Sequence, residues 1–128
     1  MNKTVVFILL IAVQTLQAQQ KFDDYGAMIR SDHNTKTIYL CFTGHDFKEG
    51  FDHVLKELND REIQASFFLT GYFIAQNIDL VKRIKSEGHY IGAHSDAHLL
   101  YNDWSKRDSL LHSPEEIKMD IANNVDKL

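Results

Sequence analysis

Three short apolar runs alternate with two amphipathic segments between residues 37 and 93, and this alternation limits the fold more than any other feature of the sequence. The apolar runs are rich in β-branched and aromatic residues, as in buried strands; they are Thr37–Phe42, Ile63–Leu69 and Tyr90–Ala93. The segments between them, Phe51–Asp60 and Phe73–Glu87, repeat apolar residues at helical spacing. Strand, helix, strand, helix, strand with short connections predicts right-handed βαβ units in a parallel sheet, which is an α/β fold.

Two helix boundaries are marked by specific residues. Gly88 follows the second amphipathic segment, where it is well placed as a helix C-cap. Further along the chain, Ser113 is suited to an N-cap, Pro114 to the first helical position, and Glu116 to the closing position of a capping box. We expect the helix that begins there to run to Leu128, because no residue in it signals a stop.

The first residues have the character of a targeting segment. A basic head, Met1–Lys3, precedes an apolar run, Thr4–Leu16, that is too short to span a bilayer comfortably. We predict a signal peptide over residues 1–18 that is cleaved after Ala18, and therefore a secreted or periplasmic protein with no stable membrane insertion after cleavage. An uncleaved membrane anchor is the alternative. Residues 19–36 are polar and broken by turn formers, which predicts an irregular lead-in.

Composition narrows the class of protein. With 128 residues, 44% hydrophobic and 25% charged, the chain has an ordinary globular composition for at most one domain. A formal charge of −4 gives no electrostatic reason to expect nucleic acid as a partner. The single cysteine, Cys41, lies inside the first predicted strand, so we expect it to be buried as a small hydrophobe and not to form an internal disulfide. Nothing in the sequence indicates an oligomeric state.

A pair of histidines follows the third predicted strand. His94 would emerge at the carboxyl end of that strand, where parallel α/β folds build their sites. If the backbone then turns helically, His98 faces the same way as His94. Two neutral imidazoles suit a divalent transition metal, with zinc favoured by ligand type and cobalt, nickel or iron as alternatives. Solvated surface histidines are the competing interpretation.

Two motifs in this region match one known family. The first is His94-Ser95 with His98 four positions after His94, and the second is the run Ala65–Phe68. The sequence from about Ile38 to Tyr101 thereby resembles the polysaccharide deacetylase family, also called the NodB homology domain. The resemblance implies a distorted (β/α) barrel in which both histidines bind a catalytic metal. The later family motifs are absent, so residues 37–128 are interpreted as the amino-terminal part of such a domain, truncated at its C-terminus. A naturally short relative is the alternative.

The first motif of that family is where this sequence departs from the pattern. Family members read Thr-Phe-Asp-Asp-Gly, with a catalytic base followed by a metal ligand, whereas this chain reads Cys41–Phe47 as Cys-Phe-Thr-Gly-His-Asp-Phe. Direct alignment puts Thr43 and Gly44 on the two aspartates, which implies an inactive protein. The other alignment treats these two residues as an insertion. His45 is then the general base or a further ligand, and Asp46 is the third metal ligand. An ordinary polar loop, with Asp46 capping the next helix, is the competing interpretation.

The resemblance also implies the reaction and the kind of partner. The activity is metal-dependent hydrolysis of acetyl groups from N-acetylated or O-acetylated carbohydrate. Tyr101 and Trp104 are candidates for stacking on a pyranose ring, although large aromatic residues also fill core gaps. His89 and His112 are candidates for the general acid by residue type alone. The alternative function is a catalytically inactive carbohydrate-binding or envelope interaction module of the same fold.

Overall fold

The computed structural model describes residues 21–24, 26–30, 36–106 and 108–128. The predicted signal peptide and its alternative, the membrane anchor, therefore lie outside the described residues. The chain divides into two compact units, residues 1–38 and residues 39–128. Across the described ranges, no helix has the length and apolar character needed to cross a membrane.

A small hairpin belongs to the first unit. Strands β1 (Lys21–Phe22) and β2 (Met28–Arg30) pair antiparallel. The turn between them is closed by a hydrogen bond from the Asp23 amide to the carbonyl of Ala27, at 2.9 Å, and Gly26 adopts a φ of 84°. The lead-in was expected to be irregular, and the hairpin corrects that expectation within residues 21–30.

The second unit is built on the predicted parallel sheet. Its strands are β3 (Cys41–Gly44), β4 (Ser66–Leu69) and β5 (Tyr90–Ala93), hydrogen-bonded in that order. The third strand has its predicted bounds, but the first two begin later than expected. The ladder starts where Cys41 is aligned with Ser66, and the carbonyl of Leu40, just upstream, accepts from the Ser66 amide at 3.0 Å. Ile38 lies outside this pairing and is 86% exposed.

The helices follow the predicted amphipathic segments with two corrections. Helix α1 spans Phe51–Asp60, as predicted. The second segment is two helices, α2 (Gly71–Gln76) and α3 (Ile78–Ser86), because Asn77 leaves helical geometry and its side-chain amide donates to the carbonyl of Phe73. Helix α4 spans Pro114–Val125 and ends before Leu128, so the expected run to the last residue was wrong.

Both predicted helix boundaries are confirmed. After α3, Gly88 has a φ of 83°, and the amides of Gly88 and His89 donate to the carbonyls of Lys85 and Ile84, which is the Schellman pattern. At the start of α4, the hydroxyl of Ser113 accepts from the Glu116 amide while the Glu116 carboxylate accepts from the Ser113 amide, which completes the capping box.

The core lies between one face of the sheet and helices α1 to α3. Its fully buried members include Leu55, Phe67, Phe73 and Ile84. Alternation along β3 places Cys41 on the other face of the sheet, which the helices do not cover, and Cys41 is exposed. The expectation of a buried cysteine was therefore wrong. Side chains alternate between the two faces along a strand, and Cys41 points to the face opposite the core.

Glu62, after α1, offers a test of backbone strain. It closes a second Schellman turn with a φ of 54°, a conformation that costs about 1–2 kcal/mol for a residue with a Cβ. We expect Glu62→Gly to raise the free energy of unfolding by about 0.5–1 kcal/mol, measured by urea denaturation. Glu49→Gly, at an exposed turn without positive φ, is the matched control. Equal or lower stability of Glu62→Gly would contradict the interpretation.

Candidate active site

The carboxyl ends of the three strands meet at one edge of the sheet. Gly44, Leu69 and Ala93 are the last residues of β3, β4 and β5, and they lie in register. The backbone continues this alignment, since the amide of Thr70 donates to the Gly44 carbonyl at 3.0 Å and the amide of His94 donates to the Leu69 carbonyl at 3.2 Å. Three polar segments therefore begin side by side, as the sequence predicted for His94.

His94 and His98 are close, but not through a helical turn. Ser95 and His98 adopt φ values of 66° and 55°, so the loop reverses through two left-handed residues. The conditional expectation of a helical turn is corrected. Even so, the two imidazole rings are tilted against each other with centroids 5.1 Å apart. Backbone strain at two residues with side chains indicates that surrounding contacts hold this loop in place.

His45 completes a cluster of three imidazoles. Its ring stacks on that of His98 with centroids 4.3 Å apart. Its Nδ1 lies 3.2 Å from Oγ1 of Thr70, and its Nε2 lies 3.3 Å from Oδ1 of Asp46. Thr70 is itself fixed, because its hydroxyl accepts from the Phe73 amide as the N-cap of α2. We call His45, His94 and His98 the histidine cluster.

Gly44 decides which residues of the first motif can reach this edge. A Cβ at position 44 would lie 2.9 Å from Cδ2 of Leu69 and 3.1 Å from the ring of Phe73. The core therefore leaves no room for a carboxylate there. The first polar side chains that follow β3 at the edge are those of His45 and Asp46, which favours the alignment with Thr43-Gly44 as an insertion.

The side chains of the cluster are of the types that bind a divalent transition metal, but their positions in this structure do not form a metal site. Three imidazoles and the Asp46 carboxylate are suitable ligands. Burial lowers the pKa of His94, and the neighbouring His98 and His45 lower it further, which favours the neutral form that metal binding requires of an imidazole. However, no three histidine, cysteine, aspartate or glutamate side chains in the described ranges are already arranged to hold a metal.

The predicted sugar contacts follow His98 in the chain. Trp104 is 79% exposed and, with Leu100 and Tyr101, lines an open groove of about 430 Å³. Tyr101 is half-buried, and its hydroxyl donates to Oδ2 of Asp120 at 2.6 Å. Trp104 therefore offers a free ring face, whereas Tyr101 is held by helix α4.

The two general-acid candidates are separate from the histidine cluster. His89 precedes β5 at the opposite edge of the sheet and is buried, with its Nδ1 accepting from the Ala65 amide at 3.3 Å. His112 lies just before α4, with its Nδ1 4.0 Å from the carboxylate of Glu116. His89 is thus excluded as an acid at this edge by its position.

Comparison with known proteins matches this architecture to one family. Residues 30–128 match the family model described as polysaccharide deacetylase. The chain belongs to the polysaccharide deacetylase family. A 30.6 kDa protein of Geobacillus stearothermophilus is 34% identical over 105 residues, which cover 81% of this chain and 36% of that protein. The peptidoglycan-N-acetylmuramic acid deacetylase PdaA of Bacillus subtilis is 35% identical over 83 residues, which cover 64% of this chain and 31% of the relative.

Solved structures confirm the fold of this polysaccharide deacetylase family member. A family 4 carbohydrate esterase from Bacillus anthracis superposes with a TM-score of 0.63 at 28% identity, covering 75% of this chain and 42% of that one. The parallel sheet with its helices is therefore part of the (β/α) barrel that was predicted. The chain spans about a third of the length of the curated relatives it matches, 36% and 31% for the two above.

Several residues that shape the site of this family member were not found from the sequence. Thr70, Asp120 and Asn124 are all buried polar residues that contact the site loops. Thr70 had a recognisable signal, a threonine between a strand and a helix. Asp120 and Asn124 stand four residues apart on a helix, so they share one face, but nothing in the sequence showed that this face is buried.

Asp120 makes the stability of the deacetylase fold sensitive to acid. Burial raises the pKa of Asp120, but hydrogen bonds from the Tyr101 hydroxyl and the Ala97 amide lower it more, and the net pKa lies below its usual range. The ionised carboxylate therefore contributes stability above the unfolded-state pKa of about 3.9, and this contribution is lost as pH falls below it. We expect Asp120→Asn to lower the urea midpoint at pH 6 more than at pH 3. An equal loss at both pH values would contradict the interpretation, and Asp126→Asn, at an exposed position, is the control.

Proposed function

We propose that this protein is an exported, metal-dependent hydrolase that removes acetyl groups from N-acetylated carbohydrate. Membership of the polysaccharide deacetylase family supports the reaction class. The name of the PdaA relative supports a peptidoglycan-type substrate, and it supports an N-acetyl in preference to an O-acetyl group. The observation that carries the proposal is the histidine cluster, with Asp46 in contact, at the carboxyl edge of the sheet.

The proposed metal ligands are His94, His98 and Asp46. Zinc is the favoured ion because two imidazoles and one carboxylate form a ligand set typical of catalytic zinc sites that retain an open position, and cobalt, nickel or iron remain alternatives. When bound, such an ion polarises the acetyl carbonyl and lowers the pKa of a coordinated water. The lowered pKa of His94 favours this role, since the imidazole is neutral and able to donate its lone pair.

His45 is the proposed general base. The Thr70 hydroxyl has a second lone pair beside the one that accepts from the Phe73 amide, so it can accept a hydrogen bond from His45 Nδ1–H, and in that tautomer Nε2 is the basic atom. Nε2 now faces Asp46 at 3.3 Å. With Asp46 engaged as a metal ligand, Nε2 would be available to take a proton from the attacking water. Thr70 thereby fixes the ring and its tautomer.

Trp104 is the proposed carbohydrate contact. Its exposed ring borders an open groove of about 430 Å³. The residues that line this groove begin at Leu100, two positions after His98. An exposed indole face is suited to stacking on the apolar face of a pyranose. Tyr101 forms a wall of the same groove, with its hydroxyl held by Asp120.

An inactive carbohydrate-binding or envelope interaction module is the second candidate. Two points favour it: the direct alignment of the first motif puts Thr43 and Gly44 on the family's acidic pair, and the rings of His45 and His98 stack on each other. Such a protein would still use the Trp104 groove.

Acetate release separates the two candidates. The full chain, loaded with Zn²⁺, is incubated with N-acetylated chitooligosaccharide and with peptidoglycan. We expect acetate release that falls by about a hundredfold or more in His45→Ala, since a general base contributes about 10²–10⁴ in rate. His53→Ala, on the exposed surface of α1, is the matched control. Glycan binding without acetate release, from a zinc-loaded and folded chain, would favour the inactive module.

A further inference from the structure

Helix α4 holds the segment from His94 to Tyr101, which we call the histidine loop, through a buried polar face. Asp120 and Asn124 lie one helical turn apart and are 6% and 0% exposed. Both are buried, and each makes at least one hydrogen bond to the segment from His94 to Tyr101. A helix face that needs only to cover a sheet would carry apolar residues at such positions. We therefore expect this polar face to make specific hydrogen bonds in addition to packing on the sheet.

Asn124 joins the ends of two strands at the first histidine. Its Oδ1 accepts from the His94 amide at 2.6 Å, and its Nδ2 donates to the Leu69 carbonyl at 3.1 Å. The side-chain amide thus acts like one more peptide group between β4 and β5. It fixes the backbone of His94 at the point where the strand becomes the loop.

Asp120 holds the other half of the loop. Its Oδ1 accepts from the Ala97 amide at 2.8 Å, and its Oδ2 accepts from the Tyr101 hydroxyl. Ala97 immediately precedes His98, which with Ser95 is one of the two residues of this loop that have a positive φ. Asp120 and Asn124 together therefore bracket both histidines and compensate for the strain of the left-handed residues.

We propose that Asn124 and Asp120 are positioning residues that set the separation of His94 and His98 for metal binding, an inference that rests on the proposed metal-dependent function. Their hydrogen bonds to the loop reach the amides of His94 and Ala97 and the hydroxyl of Tyr101. They therefore act on the backbone beside each histidine, and hence on the direction in which each imidazole projects. Loss of residues that orient metal ligands weakens metal affinity by about 10–100-fold.

The test compares zinc affinity with backbone protection in the same variants. In Asn124→Ala we expect Zn²⁺ affinity, measured by competition with a chelator, to fall by about tenfold or more. Hydrogen exchange of the His94 amide should become faster, while amides in α1 keep their protection. Asn123→Ala, the neighbouring exposed position on α4, is the matched control and should change neither quantity.

A second control separates positioning from general stability. Ile84→Val, in the core and away from the loop, lowers stability by about 0.5–1.5 kcal/mol and should leave the zinc affinity of the folded chain unchanged. If Asn124→Ala binds zinc as tightly as the unmodified chain, the inference is overturned. Should Asn124→Ala fail to fold, Asp120→Asn replaces it, and unchanged zinc affinity in that variant has the same meaning.

Failure of the proposed function has a different signature. If the unmodified folded chain binds no zinc, the hypothesis of a metal-dependent function fails. The hydrogen-exchange measurement alone then tests whether Asn124 positions the histidine loop. Faster exchange at His94 in Asn124→Ala would support positioning of the loop. Unchanged exchange would overturn it.

Discussion

Replacing both His94 and His98 with alanine is expected to abolish tight zinc binding in a chain that still folds. The two rings are half-buried or exposed at the edge of the sheet, and their removal leaves the core between the sheet and helices α1 to α3 intact. Because two of the three proposed ligands are lost, the affinity should fall by more than the roughly 100-fold upper limit for residues that only orient ligands. Isothermal titration with Zn²⁺ measures the change.

The matched control removes two histidines outside the cluster. His53 lies exposed on α1 and His112 lies before α4, so the double variant His53→Ala, His112→Ala should bind zinc as the unmodified chain does. Circular dichroism establishes that both double variants are folded. Tight zinc binding that survives the loss of His94 and His98 would mean that the metal site lies elsewhere in the chain.

Gly71→Ala is expected to be the most disruptive single methyl addition. A Cβ at position 71 would lie 1.5 Å from Oδ1 of Asp96, and the Asp96 side chain is also held by Lys127. The backbone cannot easily retreat, because the amides of Gly71 and Tyr72 donate to the carbonyls of Ser95 and Asp96, each at 3.1 Å. We expect a loss of about 1–3 kcal/mol or more in the free energy of unfolding.

A double variant identifies the cause of that loss. Asp96→Ala removes the atoms that the new methyl group meets, and its own cost is small because it breaks one partly exposed ion pair with Lys127, worth about 0–1 kcal/mol. Gly71→Ala combined with Asp96→Ala should therefore be more stable than Gly71→Ala alone, by urea denaturation. If the two losses simply add, the close approach of α2 to the histidine loop is not the cause.

The sequence was sufficient for the order and direction of the main elements. Period and length identified α1 and β5 at their observed bounds, because both are short, strongly patterned and flanked by turn residues. The capping box at Ser113 and the turn at Gly88 were also readable, since each depends on residues that are neighbours in the chain. Local chemistry was thus predictable wherever a local interaction decides the structure.

Features that depend on distant contacts were not readable. Asn77 splits the second helical segment, and Cys41 faces the uncovered side of the sheet, because register and tertiary packing decide both. At the site, His45 stacks on His98, which is 53 positions away in the chain. Asn124 of α4 bonds to the amide of His94, which is 30 positions away. The family resemblance implied that these histidines share one site, but hydrophobic period and local turn signals do not specify which side chains stack or bond across such separations.

The most direct test of the account is the metal content and zinc affinity of the purified chain, measured beside Asp46→Ala. Elemental analysis followed by titration should give about one zinc ion per chain, bound at least tenfold more weakly without the Asp46 carboxylate. Asp52→Ala, at an exposed position on α1, is the matched control. A folded chain that binds no metal, or an Asp46→Ala variant that binds zinc as tightly as the unmodified chain, would contradict the proposed centre of two histidines and one carboxylate.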